Sequence, residues 1–279
     1  MTRRESAEWR GRTVLVTGAS SGIGRAFAGE FAAHGFDVVL CARRAARLDE
    51  LAAALAAAHG VRAHTLALDL AEPGSPARVQ RELADRGLTI DALVNAAGRS
   101  LPGAYAATAW DEQRRLLDLT LGGYAELTHR LLPGMVSRGW GRIVQVASVS
   151  AFLPGAAGHT LSSAIKSFLV QFAIAVATES RGTGVNVTAV CPGFTRTEIF
   201  AVAGMQAAVA RIPGWLWSAP EDVARAGYRG VMHGRTVVIP GILNRLLVAG
   251  ARLLPLGLAI ALMRRGTGGL AAPRPVRER

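Results

Sequence analysis

Thr17-Gly18-Ala19-Ser20-Ser21-Gly22-Ile23-Gly24 lies between an apolar run, Thr13–Thr17, and a stretch with helical spacing, Gly22–His34. Its small residues let a backbone turn tightly and come close to a pyrophosphate, and the last glycine lets helix and strand pack together. The helix that follows presents free amides and the positive end of its dipole to an anion. Strand, glycine loop and helix in this order predict a dinucleotide-binding unit; the same glycines without those neighbours would mark only a tight turn.

The alternation continues outward. Apolar runs at Asp37–Cys41, Ala63–Ala67, Ala92–Asn95, Arg142–Ala147 and Val185–Val190 read as strands, with a short last one at Thr236–Ile239. Helical stretches at Arg44–His59, Pro76–Arg86, Trp110–Arg138 and Ser162–Arg181 separate them. This rhythm predicts right-handed crossovers and an α/β fold: a Rossmann-like, doubly wound parallel sheet with helices on both faces, in a single domain. That domain spans residues 12–240 and includes an apolar, irregular lid at 198–218. Residues 1–11 read as a charged N-terminal extension and 241–279 as an apolar and basic C-terminal one.

The chain has 279 residues, half of them apolar and 19% charged, which excludes general disorder. The net charge is +12, yet the arginines are scattered, with no basic helix interleaved with aromatics and no zinc spacing. No nucleic acid is therefore expected as a partner. A cofactor with an extra phosphate, or an anionic membrane surface, uses the same sign of charge. Cys41 and Cys191 each end an apolar strand and read as buried thiols, with no metal set. The charged start, Met1 to Arg12, lacks the apolar core of a signal peptide, so the cytoplasm is the expected compartment.

The T-G-x-x-x-G-x-G spacing resembles the short-chain dehydrogenase/reductase family, strongly over residues 12–200 and loosely beyond. Leu68-Asp69-Leu70 is similar to the family element whose Asp meets the adenine. Asn95-Ala96-Ala97-Gly98 is similar to its N-N-A-G element, with Ala96 where the second Asn usually stands. Pro192-Gly193-Phe194-Thr195-Arg196-Thr197 is similar to P-G-x-x-x-T, which implies that its backbone and Thr197 hold a nicotinamide carboxamide. An NAD enzyme usually carries an acidic residue at the end of the second strand. Here Cys41-Ala42-Arg43-Arg44 offers two guanidinium groups, which suit a 2′-phosphate, so NADP(H) is the expected cofactor. Arg43 and Arg44 as the plain start of a solvated helix is the other reading.

Family members carry an Asn, a Ser, a Tyr and a Lys, because the alkoxide left by hydride transfer must be protonated at once. Lys166, the only lysine in the chain, and Ser148 align with the family lysine and serine. Four residues before Lys166, where the family tyrosine stands, is Ser162, and the family asparagine falls at Thr120. A serine hydroxyl titrates far above a tyrosine's ~10 and is shorter, so it cannot simply replace it. Three readings follow: a reductase in which another group, foremost His159, donates the proton; a non-redox isomerase, dehydratase or cyclase on the same scaffold; or a disabled NADP-binding relative.

The lid supplies Ile199, Phe200, Val202, Met205, Ile212, Trp215, Leu216 and Trp217, which suits a bulky lipophilic substrate; an ordinary packing helix is the alternative. The apolar stretch 241–263, flanked by Arg264 and Arg265, reads as a peripheral membrane contact, a pocket mouth or a dimer surface. The resemblance implies a homodimer or homotetramer paired through the fourth and fifth helices. The expected function is NADP(H)-dependent oxidation or reduction of a bulky lipophilic alcohol or carbonyl.

Overall fold

The central strands are apolar at consecutive positions because both of their faces are covered, as parallel sheets require. In the computed structural model, which describes residues 9–210 and 212–267, the strands are β1 Thr13–Thr17, β2 Asp37–Ala42, β3 Ala63–Ala67, β4 Ala92–Asn95, β5 Gly141–Val146, β6 Val185–Val190 and β7 Val237–Val238. The helices are α1 Gly22–Ala33, α2 Ala45–His59, α3 Ser75–Asp85, α4 Trp110–Leu117, α5 Gly123–Ser137, α6 Thr160–Glu179, α7 Ile199–Val202, α8 Gln206–Val209, α9 Pro220–Met232, α10 Ile242–Leu253 and α11 Leu256–Thr267. The seven strands form one sheet in the order β3-β2-β1-β4-β5-β6-β7, and every pair is parallel.

Alternate residues of each strand feed opposite cores. Leu15, Val39, Leu93, Ile143 and Val187 pack with Val79 and Leu83 of α3, Leu127 of α5 and Ile165 and Leu169 of α6. Val14, Val16, Val38, Leu40, Val94 and Val144 pack with Phe27 and Phe31 of α1, Leu48 of α2 and Val223 and Val231 of α9. Burying one such side chain stabilises by roughly 1.5–3 kcal/mol. The strand order reverses between β1 and β4, and crevices at such a reversal, beyond the carboxyl ends of the strands, bind ligands.

Several element ends shift by one or two residues from the sequence reading, α6 for instance running Thr160–Glu179 where Ser162–Arg181 is expected, and three departures bear on the fold. The single helix expected over Trp110–Arg138 is divided by a π turn, Asp118–Gly122. Gly122 and Gly123 are poor helix formers, and the Thr120 hydroxyl donates back to the Leu116 carbonyl at 2.6 Å. The last strand, expected as Thr236–Ile239, keeps only Val237–Val238 in the ladder. The fifth strand begins at Gly141, one residue before its expected start, and ends at Val146.

The N-terminal extension lies outside the described residues as far as residue 8. Trp9 stacks on Phe36 and Trp140, with ring centroids 6.0 and 5.4 Å away. The C-terminal extension is described to residue 267 as α10 and α11; residues 268–279 lie outside. Residues 198–218, expected as a lid, fold as α7, α8 and a 3₁₀ turn at Gly214–Leu216, with residue 211 outside the described residues.

Candidate active site

The loop after β1 needs its glycines for space. Gly18 has φ +67°, and a Cβ there would lie 2.7 Å from the Ala97 Cα of the loop after β4. A Cβ on Gly24 would lie 2.4 Å from the Gly18 carbonyl oxygen. The first turn of α1 carries no acidic residue, and its N-cap Ser21 makes no capping bond through its side chain. The leading amides of α1 therefore remain available to an anion.

A cleft of about 720 Å³ opens at the carboxyl ends of β1, β2 and β4–β6. It is lined by Gly18 and Ser20–Gly24, by Arg43 and Arg44, by Asp69 and Leu70, and by Ala96 and Gly98. On its other side lie Ser148, Lys166, Pro192, Gly193, Thr195 and Thr197. The structure thus brings most of the expected residues to one cavity.

Five expected residues do not line it, and most of them have other work. Thr17 is a brace: its Oγ1 accepts from the Ala96 and Ala97 amides at 3.0 and 3.1 Å and donates to the Val94 carbonyl at 3.3 Å. That ties the glycine loop to the loop after β4. Asn95 is fully buried and donates to Gln145 Oε1 at 3.1 Å, inside the core. Thr120 is buried in the π turn, its hydroxyl held by Leu116. Ser162 lies one turn before Lys166 on α6, its Oγ buried without a hydrogen-bond partner. His159 is the N-cap of α6, and burial lowers its pKa below the ordinary value, which favours the neutral ring.

The polar groups of the cleft form two ends. At one end, Arg44 donates from Nε and Nη2 to Ser20 Oγ at 3.2 and 3.0 Å. Beside it, Asp69 is held by Arg115 at 2.9 Å and by the Ala71 amide at 3.0 Å, with Arg43 at 3.8 Å. The Asp69 carboxylate, expected to meet an adenine, is thus already engaged. At the other end, Ser148 Oγ accepts from the Ser150 amide at 3.2 Å, which leaves its O–H free to donate. Lys166 Nζ donates to the Val146 carbonyl at 2.8 Å. Burial pushes the Lys166 ammonium down to about 8, against a smaller opposing pull from Cys191. Burial pushes the Cys191 thiol up to about 12, so it stays neutral at pH 7.

Sequence reading missed Arg115, Tyr124 and Glu198, which also line the cleft. Tyr124 is buried, its hydroxyl donates to the Ala97 carbonyl at 2.9 Å, and burial raises its pKa strongly, so it holds the loop and is not free to give up a proton. Arg115 and Tyr124 join the site through contacts distant in sequence, and no local pattern signals them. Glu198 follows Thr197 directly, so its place at the cleft could have been read from the motif, though not its partners.

The fold and this cleft are those of a nucleotide-dependent oxidoreductase family. The family model described as short chain dehydrogenase matches residues 12–207. Serine 3-dehydrogenase of Agrobacterium fabrum is 36% identical over 187 residues, which are 67% of this chain and 73% of that protein. A short-chain dehydrogenase from Sphingobium yanoikuyae in complex with NADPH superposes with a TM-score of 0.76 at 31% identity, covering 96% of this chain and 98% of that one. The bulky-bulky ketone specific alcohol dehydrogenase from Comamonas testosteroni superposes with a TM-score of 0.71 at 26% identity, covering 96% and 97%. The chain belongs to the short chain dehydrogenase family and is an oxidoreductase of that family.

Proposed function

We propose that this protein transfers hydride between NADP(H) and a bulky lipophilic carbonyl or alcohol, with an altered catalytic set. The observation that carries the reading is one cleft joining a glycine loop and Arg44 at one end to Ser148 and Lys166 at the other. The residues fit the cofactor: small residues leave room for a pyrophosphate, the leading amides of α1 would receive it, and Arg44, which lines the same cleft, would hold a 2′-phosphate. A related structure holds NADPH. Thr195, Thr197 and Lys166 would hold the nicotinamide half. NADP(H) supplies the hydride.

The chain's own residues do the rest. Ser148 donates its free O–H to the substrate oxygen. Lys166 lines the same cleft as Ser148 and would protonate the developing alkoxide, a role that suits an ammonium lowered by burial to about 8. Ser162 supports neither step, because its hydroxyl is a very weak acid. Phe200 of the lid lines the cleft beside Ile199 and Val202 and clusters with Phe194 and Trp217, with centroids 5.4–6.3 Å apart, which gives the cleft an apolar rim. A relative specific for bulky ketones agrees with such a substrate.

Reduction needs the ammonium form of Lys166. Its rate therefore holds at low pH and falls as pH rises through about 8, and oxidation shows the opposite trend. Stopped-flow absorbance of NADPH with a panel of apolar ketones tests the reading, on this protein and on Ser162→Tyr. Turnover by the unaltered protein with that pH profile supports it. Turnover by Ser162→Tyr alone would show the chain to be disabled for redox work. We further propose a homodimer or homotetramer in the cytoplasm, with 241–265 touching a membrane surface.

A further inference from the structure

A carboxylate at the start of the lid reaches the cofactor end of the cleft. Glu198 precedes α7, at the start of the lid. Its Oε2 accepts from Arg44 Nη1 at 3.0 Å, and its two oxygens accept from Arg47 Nη1 at 2.7 and 2.9 Å. The two guanidinium groups hold its carboxyl below the ordinary glutamate value. Arg44 and Arg47 lie three residues apart, so they share one face at the start of α2. Arg44 is already engaged on both sides, with Ser20 on one and Glu198 on the other. A carboxylate of the chain itself thus engages Arg44, the guanidinium that the NADP(H) reading assigns to a 2′-phosphate.

We infer that Glu198 is a specificity-determining latch: a 2′-phosphate displaces it from Arg44 and Arg47, and that displacement releases the lid. The inference rests on the NADP(H) reading above. A phosphate carries close to two negative charges and three acceptor oxygens, against one charge and two oxygens for a carboxylate. It therefore wins the arginines, but part of its binding energy goes into breaking the Glu198 contacts. A cofactor without the phosphate leaves the latch closed. Glu198 follows Thr197, whose segment covers the nicotinamide half of the cleft, so the two ends of the cofactor are linked through one residue. The pairs are solvent-exposed, so the effect is modest and weakens with salt.

Calorimetric titration of the full chain and of Glu198→Gln with NADPH, NADH and 2′,5′-ADP tests this, together with hydrogen exchange of the lid amides. Glu198→Gln is expected to bind NADPH and 2′,5′-ADP roughly fivefold more tightly, with NADH unchanged. In the unaltered protein, 2′,5′-ADP should speed exchange in the lid, whereas 5′-AMP should not. In Glu198→Gln the lid should exchange fast without any ligand. An NADPH preference over NADH that is the same in both proteins, or a lid indifferent to 2′,5′-ADP, overturns the latch and leaves the cofactor reading intact. No preference for NADPH in either protein overturns the cofactor reading, and the latch with it.

Discussion

In the proposed reaction Lys166 carries more of the chemistry than its place in a motif requires. Among 32 cationic side chains it is the only ammonium. An arginine there would keep the charge but could not release a proton, since guanidinium stays protonated. Lys166→Arg is therefore expected to lose roughly 100-fold or more in the reduction rate, in the range of general acid catalysis, while NADPH still binds. Single-turnover kinetics beside a binding titration separates the two; a variant that reduces ketones at the original rate removes Lys166 from the proton path. The lysine, the serine and the glycine loop were legible because each stands in a short pattern with a local physical reason. The Glu198 contacts with Arg44 and Arg47 were not, since they join residues more than 150 positions apart and rest on no periodicity. Thr17 was legible as a position but not as a brace, because its partners sit on another loop.

At the scale of elements, the turn between β1 and α1 is a joint that backbone closes tightly. The nearest atoms to an added Cβ at Gly24 are backbone atoms of Gly18 and Thr17, at 2.4 to 3.0 Å, and backbone cannot rotate aside. Gly24→Ala is expected to cost about 1–3 kcal/mol of stability through overpacking and to weaken cofactor binding. Denaturant unfolding and NADPH titration measure both; an unchanged midpoint would mean that α1 shifts freely. The strands were legible to within a residue or two where apolar runs are continuous. The π turn was hidden, because Trp110–Arg138 keeps a helical pattern through it and only the Gly122-Gly123 pair hints at a break. π turns are frequent at functional sites, and this one holds Thr120, the residue expected at the family asparagine position. Thr120→Val removes a buried hydroxyl from the Leu116 carbonyl and is expected to cost about 1 kcal/mol, read from the same unfolding curves.

At the scale of the whole molecule, charge and apolar surface converge on the C-terminal helices. From residue 236 to 267 there are four arginines, Arg245, Arg252, Arg264 and Arg265, and no acidic residue. Along α10 and α11 the leucines face outward: Leu246 is 60% exposed, Leu253 85% and Leu256 70%. A soluble surface with leucines at this density marks a contact. Arginines beside them favour an anionic lipid headgroup, in keeping with the net charge of +12. The same helix reaches the site, since Arg252 lies 4.7 Å over the Phe152 ring and Asn244 fills the space beside Gly193. Among the described residues only α6 is long and apolar enough to cross a membrane, and it packs against β5 and β6 with Lys166 on it, so the proposed membrane contact is a peripheral one. The protein is expected to sediment with phosphatidylcholine vesicles that contain phosphatidylglycerol and to stay in solution with phosphatidylcholine alone. High salt, which shortens the Debye length to about 3 Å at 1 M, should weaken binding, and Leu246→Glu with Leu253→Glu should abolish it while NADPH binding persists. Sedimentation that ignores lipid charge would leave only the apolar contact standing. A double variant that stays on vesicles but dissociates from a dimer would assign this face to a second copy of the chain.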